Sequence, residues 1–222
     1  MPSLNSATEI LAPAGTYEAV EAAVRCGADA VYLGGKVLNA RRNAGNFSFE
    51  ELKAAVDYCH ARGTKVYLTL NTLTTDAELK NEVQCAIRDA CQAGIDALII
   101  QDTGVLRVAK MCAPTMPLHA STQMSVHTLA GVKQLAEMGF TRAVLARELS
   151  LDEIEYIVKN SPIEIEVFVH GALCVSMSGQ CYISEACFGR SANRGECAQF
   201  CRLPFDLVGL VGIPPSHPDV LF

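Results

Sequence analysis

The sequence predicts an α/β fold of the (β/α) barrel type, incomplete at the C-terminus and followed by a cysteine-rich segment. Three observations carry this. Short runs rich in Val, Ile and Leu alternate with amphipathic helix patterns through the first 170 residues, the pattern of parallel strands covered on both faces. The helix patterns near Gly27, Gly63, Gly94 and Gly139 each end at glycine, and a strand pattern follows within two to four residues. No G-x-G-x-x-G follows the first strand, which argues against an open dinucleotide-binding sheet.

The strand candidates are 9–14, 30–34, 65–71, 97–102, 118–124, 142–146 and 164–170. Six helix patterns lie between them. Three of these open on a capping box: Ser48 with Glu51, Thr75 with Glu78, and Ser150 with Glu153. Leu79, Val83, Ala86, Ile87 and Ala90 make one apolar stripe. The β-then-α unit recurs about every 25–30 residues as a pattern rather than as a sequence repeat. Seven strands and six helices are one unit short of a barrel that usually takes ~250 residues.

Three regions follow: a barrel-like domain at 1–170, a cysteine-rich segment at 171–205, and an atypical, truncated tail at 206–222. Half of the 222 residues are apolar and 19% are charged, so the chain can bury a core and is not disordered. The net charge of −6 argues against a basic protein that coats nucleic acid, while leaving room for a local basic groove. No run approaches the ~18 apolar residues of a membrane span, and the N-terminus has no export signal. The expectation is a cytoplasmic protein, in which ten cysteines do not read as a disulfide framework.

In such a barrel the chemistry sits where strands end at the C-terminal face. The residues there are polar and mixed in charge. Arg41 and Asn46 follow strand two, Asn71 ends strand three, and Gln101 and Asp102 end strand four. His119, Ser121, Thr122 and Gln123 lie on strand five with His127 beyond; Arg147 and Glu148 follow strand six, and His170 ends strand seven. The set suits a hydroxylated or carboxylated ligand, held by Asn46 and Gln123 and by an anion clamp of Arg41 and Arg147. Plainer readings stand beside it: Arg41 as a solvated loop cation, Glu148 at a helix start facing the dipole, and His170 as a satisfied core histidine. Cys26, Cys59, Cys85, Cys91 and Cys112 fall in helix patterns and read as small core residues. Cys174, Cys181, Cys187, Cys197 and Cys201 fall within 28 residues. Their spacing is not that of a zinc ribbon. Four thiolates from an irregular loop suit an iron–sulfur cluster, with an unusual zinc site or unliganded thiols as alternatives.

The stretch EVFVHGALCVSMSGQCYIS, residues 166–184, resembles the signature of peptidase family U32, the collagenase-like proteases. Glu166, Phe168, Gly171, Ala172, Cys174, Gly179, Cys181 and Ser184 meet every fixed position. ILAPAG, AVYLGGK, NARRNAGNF, STQMSVH, LARELSL and RGECAQFCR resemble the family too, over about residues 8–208. The resemblance implies a TIM-barrel-like domain. It implies either peptidase activity or oxygen-independent hydroxylation of tRNA or 23S rRNA, with prephenate as oxygen donor in some members. It also implies a [4Fe-4S] cluster on Cys174, Cys181, Cys197 and a fourth cysteine; in the family the fourth usually lies further along, where this chain has its Pro-rich tail, and Cys201 or Cys187 is the substitute here. Glu148, His170 and Glu166 are the catalytic candidates, and RNA or a peptide is the expected partner. A cysteine-peptidase reading would pair Cys174 with His170, but no G-x-S-x-G or H-E-x-x-H supports proteolysis. The remaining reading is a truncated, non-catalytic chain.

Overall fold

The structure is a computed structural model that describes residues 8–40, 45–171 and 174–204. Its strands are β1 (Leu11–Pro13), β2 (Ala30–Gly34), β3 (Lys65–Leu70), β4 (Ala97–Ile100), β5 (Leu118–Ala120), β6 (Arg142–Val144) and β7 (Glu164–Glu166). They form one parallel sheet in the order β1 to β7. Each strand therefore lies beside its predecessor, as in a barrel, whereas a doubly wound sheet reverses direction midway. The sheet curls into an incomplete barrel, and among the described residues no pairing joins β7 back to β1.

The helices are α1 (Tyr17–Arg25), α2 (Phe49–His60), α3 (Asp76–Lys80), α4 (Glu82–Ala93), α5 (Thr103–Cys112), α6 (Leu129–Glu137), α7 (Leu151–Asn160) and α8 (Ile183–Phe188). All three capping boxes form. Gly27, Gly63, Gly94 and Gly139 all have φ between 75° and 91°, which glycine adopts without penalty. The stripe from Leu79 to Ala90 is not one helix: the chain breaks at Asn81 (φ −119°, ψ −76°), whose side chain turns back to the Ala77 carbonyl. The cysteine-rich segment, which shows no period in sequence, contains the short helix α8 and two 3₁₀ turns.

The sheet has two apolar faces. Val31, Leu33, Val66, Leu68, Leu70, Leu98, Ile100 and Leu118 pack outward with Val20, Val56, Val83, Ile87 and Val105 of the helices. Each such side chain contributes ~1.5–3 kcal/mol on burial. Ala30, Tyr67, Ala97 and Ile99 form a separate cluster on the opposite, luminal face.

Beside that cluster lies a charged plug. Ile99, His119, Arg142 and Glu164 are register partners across β4 to β7 and so share the luminal face. Arg142, with its side chain only 9% exposed, donates to Glu9 at 2.6 Å, to Glu164 at 2.6 and 2.9 Å, and to Glu166 at 3.4 Å. The Tyr67 hydroxyl donates to Glu9 at 2.9 Å, Lys65 reaches Glu9 at 3.1 Å, and His119 meets the Tyr67 ring edge-on at 4.8 Å. Burial opposes ionisation of Glu9, but Arg142, Lys65 and Tyr67 outweigh it and hold the carboxyl at about 2. Burial and the neighbouring Arg142 push His119 down to about 3, so the ring is neutral.

Candidate active site at the barrel mouth

The mouth is built in two halves. The first is a chain of uncharged groups after β2, β3 and β5. Asn39 Nδ2 donates to Asn46 Oδ1 at 2.6 Å. The Thr69 hydroxyl lies 3.2 Å from Asn39 Oδ1 and 3.1 Å from the Leu33 carbonyl, so its one proton serves one acceptor at a time. Asn71 accepts from the Ala40 N–H at 3.0 Å and donates to Ser121 Oγ at 3.3 Å. Gly34 makes this possible: a Cβ there would stand 1.8 Å from Asn39 Nδ2. Asn46 itself is left-handed (φ 47°), which asparagine tolerates better than most residues. At the end of β4 the Gln101 carboxamide oxygen is buried and has no hydrogen-bond partner among the described residues. The adjacent Asp102 caps α5 through Gly104 N at 2.6 Å and also accepts from Thr74 N at 3.2 Å.

The second half clamps the cysteine-rich segment onto the loops after β5 and β6. Ser178 is fully buried. Its N–H donates to Glu148 Oε1 at 2.6 Å, its hydroxyl donates to the same oxygen at 3.1 Å, and that hydroxyl accepts from Arg147 N and Nε at 3.3 and 3.1 Å. The Ser125 hydroxyl donates to the Ser178 carbonyl, and Gln180 donates to Ser125 Oγ at 3.0 Å. Gly179 (φ 73°) sits so close that a Cβ would lie 2.2 Å from the Gln123 carbonyl. His127 Nδ1 faces the Ser125 carbonyl at 2.8 Å and therefore carries a hydrogen; Nε2 lies 3.2 Å from Glu148 Oε2, off the line of a hydrogen bond. Burial raises the Glu148 carboxyl, but its own backbone N–H, the two Ser178 donors and His127 outweigh this and hold it below its ordinary value. A second anchor lies over β3: Leu73 N donates to the Asn193 carbonyl at 3.2 Å, and Arg194 reaches Leu73 O at 2.8 Å and Glu78 at 2.6 Å. Arg194 and the Thr75 cap hold Glu78 at about 2.

Asn46, Gln123, Arg147 and Glu148 thus gather at the mouth. Arg41 lies outside the described residues. Glu166 belongs to the luminal plug beside Arg142, where burial keeps its carboxyl above the ordinary value despite that cation. His170 is exposed and makes no hydrogen bond to a described residue, so nothing orients it toward Cys174. Ser178, Gln101, Asn39 and the His127–Glu148 contact carry no sequence motif of their own; only the placement of Gln101, Ser121 and His127 after strands marks them.

Cys174, Cys197 and Cys201 are exposed and Cys181 is partly buried. Among the described residues no group of three or more His, Cys, Asp or Glu side chains is arranged to hold a metal ion. The thiols have the right chemistry for an iron–sulfur cluster, but as placed they do not converge on one. Of the five scattered cysteines, four differ from the expectation of core residues and one meets it. Cys59 is buried, with its thiol pushed up to about 11 by burial. Cys26, which caps the C-terminus of α1, is exposed; so are Cys85, Cys91 and Cys112, because Val83, Ile87 and Ala90 take the inward side of α4, and Val105, Leu106 and Ala109 that of α5.

Comparison with known proteins bears on family and fold. A family model described as peptidase family U32 matches residues 15–214. The 23S rRNA 5-hydroxycytidine C2501 synthase of Escherichia coli (strain K12) is 49% identical over 90% of this chain and 30% of its own length. The tRNA hydroxylation protein P of the same organism is 39% identical over 90% of this chain and 44% of its own. A collagenase of Porphyromonas gingivalis is 39% identical over 87% and 49%. The chain therefore spans half or less of the length of these relatives. Among solved structures, the U32 peptidase Mk0906 superposes with a TM-score of 0.59 at 16% identity, covering 75% of this chain and 70% of that one, which shows the fold. No helix among the described residues is long and apolar enough to cross a membrane.

Proposed function

Since this chain belongs to peptidase family U32, we propose that it serves RNA hydroxylation, acting on a base of rRNA or tRNA. The observation that carries the reading is the 49% identity to an rRNA hydroxycytidine synthase across nine-tenths of the chain. The mouth supports it chemically. A chain of carboxamides and hydroxyls suits a neutral, hydrogen-bonding ligand such as a base, and Arg147 beside it suits a small carboxylate such as prephenate. Ser178 orients both Arg147 and Glu148, so the cysteine-rich segment takes part in shaping the site.

Iron–sulfur ligation by Cys174, Cys181, Cys197 and Cys201 belongs to this proposal. It requires the segment to rearrange, because the thiols as placed do not meet. A bound cluster would supply electron-transfer or Lewis-acid chemistry; the residues of this chain would hold it, orient the substrate and exclude water. Anaerobic reconstitution of the full chain with iron and sulfide tests it. The expected product is brown, with broad absorbance near ~400 nm; colourless, iron-free protein would contradict it. The relative named collagenase favours a second reading, peptide hydrolysis. Gelatin cleavage lost in both Cys174→Ala and His170→Ala would support that reading; cleavage persisting in both would point to contamination or another nucleophile, and no cleavage by the wild-type protein would remove the reading.

A further inference from the structure

We propose that Gln101 reads the Watson–Crick edge of a pyrimidine drawn into the barrel mouth, its Oε1 accepting a base N–H while Nε2 donates to the neighbouring base acceptor. The inference rests on the RNA reading above and specifies how that site would recognise its base.

Buried side-chain oxygens are nearly always hydrogen-bonded, and Gln101 Oε1 is buried without a partner. The carboxamide makes no hydrogen bond to any described residue. Its place in the fold is telling: Gln101 directly follows β4, and alternation from Ile99, a luminal residue, puts it on the luminal side. The Asn71–Ser121 hydrogen bond runs between the ends of the strands on either side, β3 and β5. The neighbouring Asn39, Asn46 and Thr69 are linked to one another by hydrogen bonds. Among the described residues Gln101 is thus a carboxamide with a buried, unpartnered oxygen, on a strand end where ligands of such barrels bind.

The chemistry of the missing partner follows. A glutamine carboxamide offers one acceptor beside one donor site, which matches cytosine's amino group beside N3, or uracil's N3–H beside a carbonyl. Among the described residues the linked side chains of this half are neutral, which suits a neutral, hydrogen-bonding ligand. A base in a duplex is hidden in the stack, so the enzyme would take it extruded or from a single strand. A site built to hydrogen-bond discriminates strongly against an analogue without the group, because its own polar atoms are then left unpaired.

The test uses the full chain and fluorescently labelled single-stranded RNA oligonucleotides, with binding followed by anisotropy. One pair carries a central cytidine or N4,N4-dimethylcytidine, the other a central uridine or N3-methyluridine. The expected result is about tenfold weaker binding of the methylated member in at least one pair. Gln101→Met, which keeps the shape and removes both hydrogen-bonding atoms, should bind both members of that pair alike. Equal affinity of wild-type protein for both members of both pairs would overturn the role of Gln101 while leaving RNA binding standing. Absence of binding to any oligonucleotide at low salt would overturn the RNA reading and this inference together. The wild-type comparison needs no variant to fold.

Discussion

The two ends of this barrel are made from opposite chemistry. The luminal plug is ionic: Arg142 faces Glu9, Glu164 and Glu166, with Tyr67 and His119 packed beside it. The mouth pairs a chain of neutral amides with a clasp in which one buried serine ties a carboxylate, a guanidinium and the cysteine-rich segment together. The backbone differs in the same sense. The four non-glycine residues with positive φ among the described residues, Leu38, Asn46, Ser125 and Gln199, lie in mouth loops or in the cysteine-rich segment. Strain of this kind persists where surrounding structure holds it, often at functional sites, whereas the opposite end of such barrels serves stability. The plug should therefore govern folding and the mouth should govern function.

The largest effect should come from the plug. Arg142→Met leaves buried carboxylates without their cation and should lower stability by ~3–5 kcal/mol in urea unfolding. A loss below ~1 kcal/mol would show that the plug is not what holds the barrel end.

Acid should act through the same region. His119 protonates at about 6.5 when unfolded and at about 3 when folded. Below pH 6.5 the unfolded chain binds the extra proton, so stability should fall by about 1.4 kcal/mol per pH unit as pH drops toward 3. Glu9, depressed to about 2, adds a further loss below about 4.5. Glu166, raised by burial, acts in the opposite sense: its contribution is present at low pH and fades as pH rises through its folded value. His119→Phe should flatten the slope between pH 6.5 and 4.5 in thermal melts, and an unchanged slope would remove His119 from the account.

Changes at the mouth should be smaller and local. Gly179→Ala places a Cβ against the Gln123 carbonyl in a left-handed backbone and should cost ~1–3 kcal/mol, confined to the segment. Hydrogen exchange should rise at 174–181 and stay unchanged in β2 to β4. Ser178→Ala removes three hydrogen bonds and should cost ~1–2 kcal/mol locally. Faster thiol labelling of Cys181 at constant global stability is the expected signature, and equal labelling would separate the clasp from the cysteines.

Much of the fold is legible in the sequence because its signals are local. Apolar runs, three capping boxes and four helix-ending glycines each depend on a few adjacent residues. The break at Asn81 is not legible, since a single asparagine within an apolar stripe does not signal it. The mouth is legible to the extent that strand ends are: Asn46, Gln123, Arg147 and Glu148 fall where topology places them. The partners are not. Glu9 meets Arg142 across 133 positions of sequence, and Ser178 is an unremarkable serine between two cysteines until Glu148, 30 residues earlier, closes on it. Burial of Ser178 and exposure of four helix cysteines likewise depend on which faces meet in three dimensions.

The central claim is that this mouth serves hydroxylation of an RNA base. Its most direct test is mass spectrometry of nucleosides from the rRNA and tRNA of cells with the coding sequence deleted, then restored. One pyrimidine nucleoside heavier by an oxygen atom should vanish on deletion, return with the wild-type coding sequence, and fail to return with Gln101→Met. A nucleoside profile unchanged by deletion would contradict the claim.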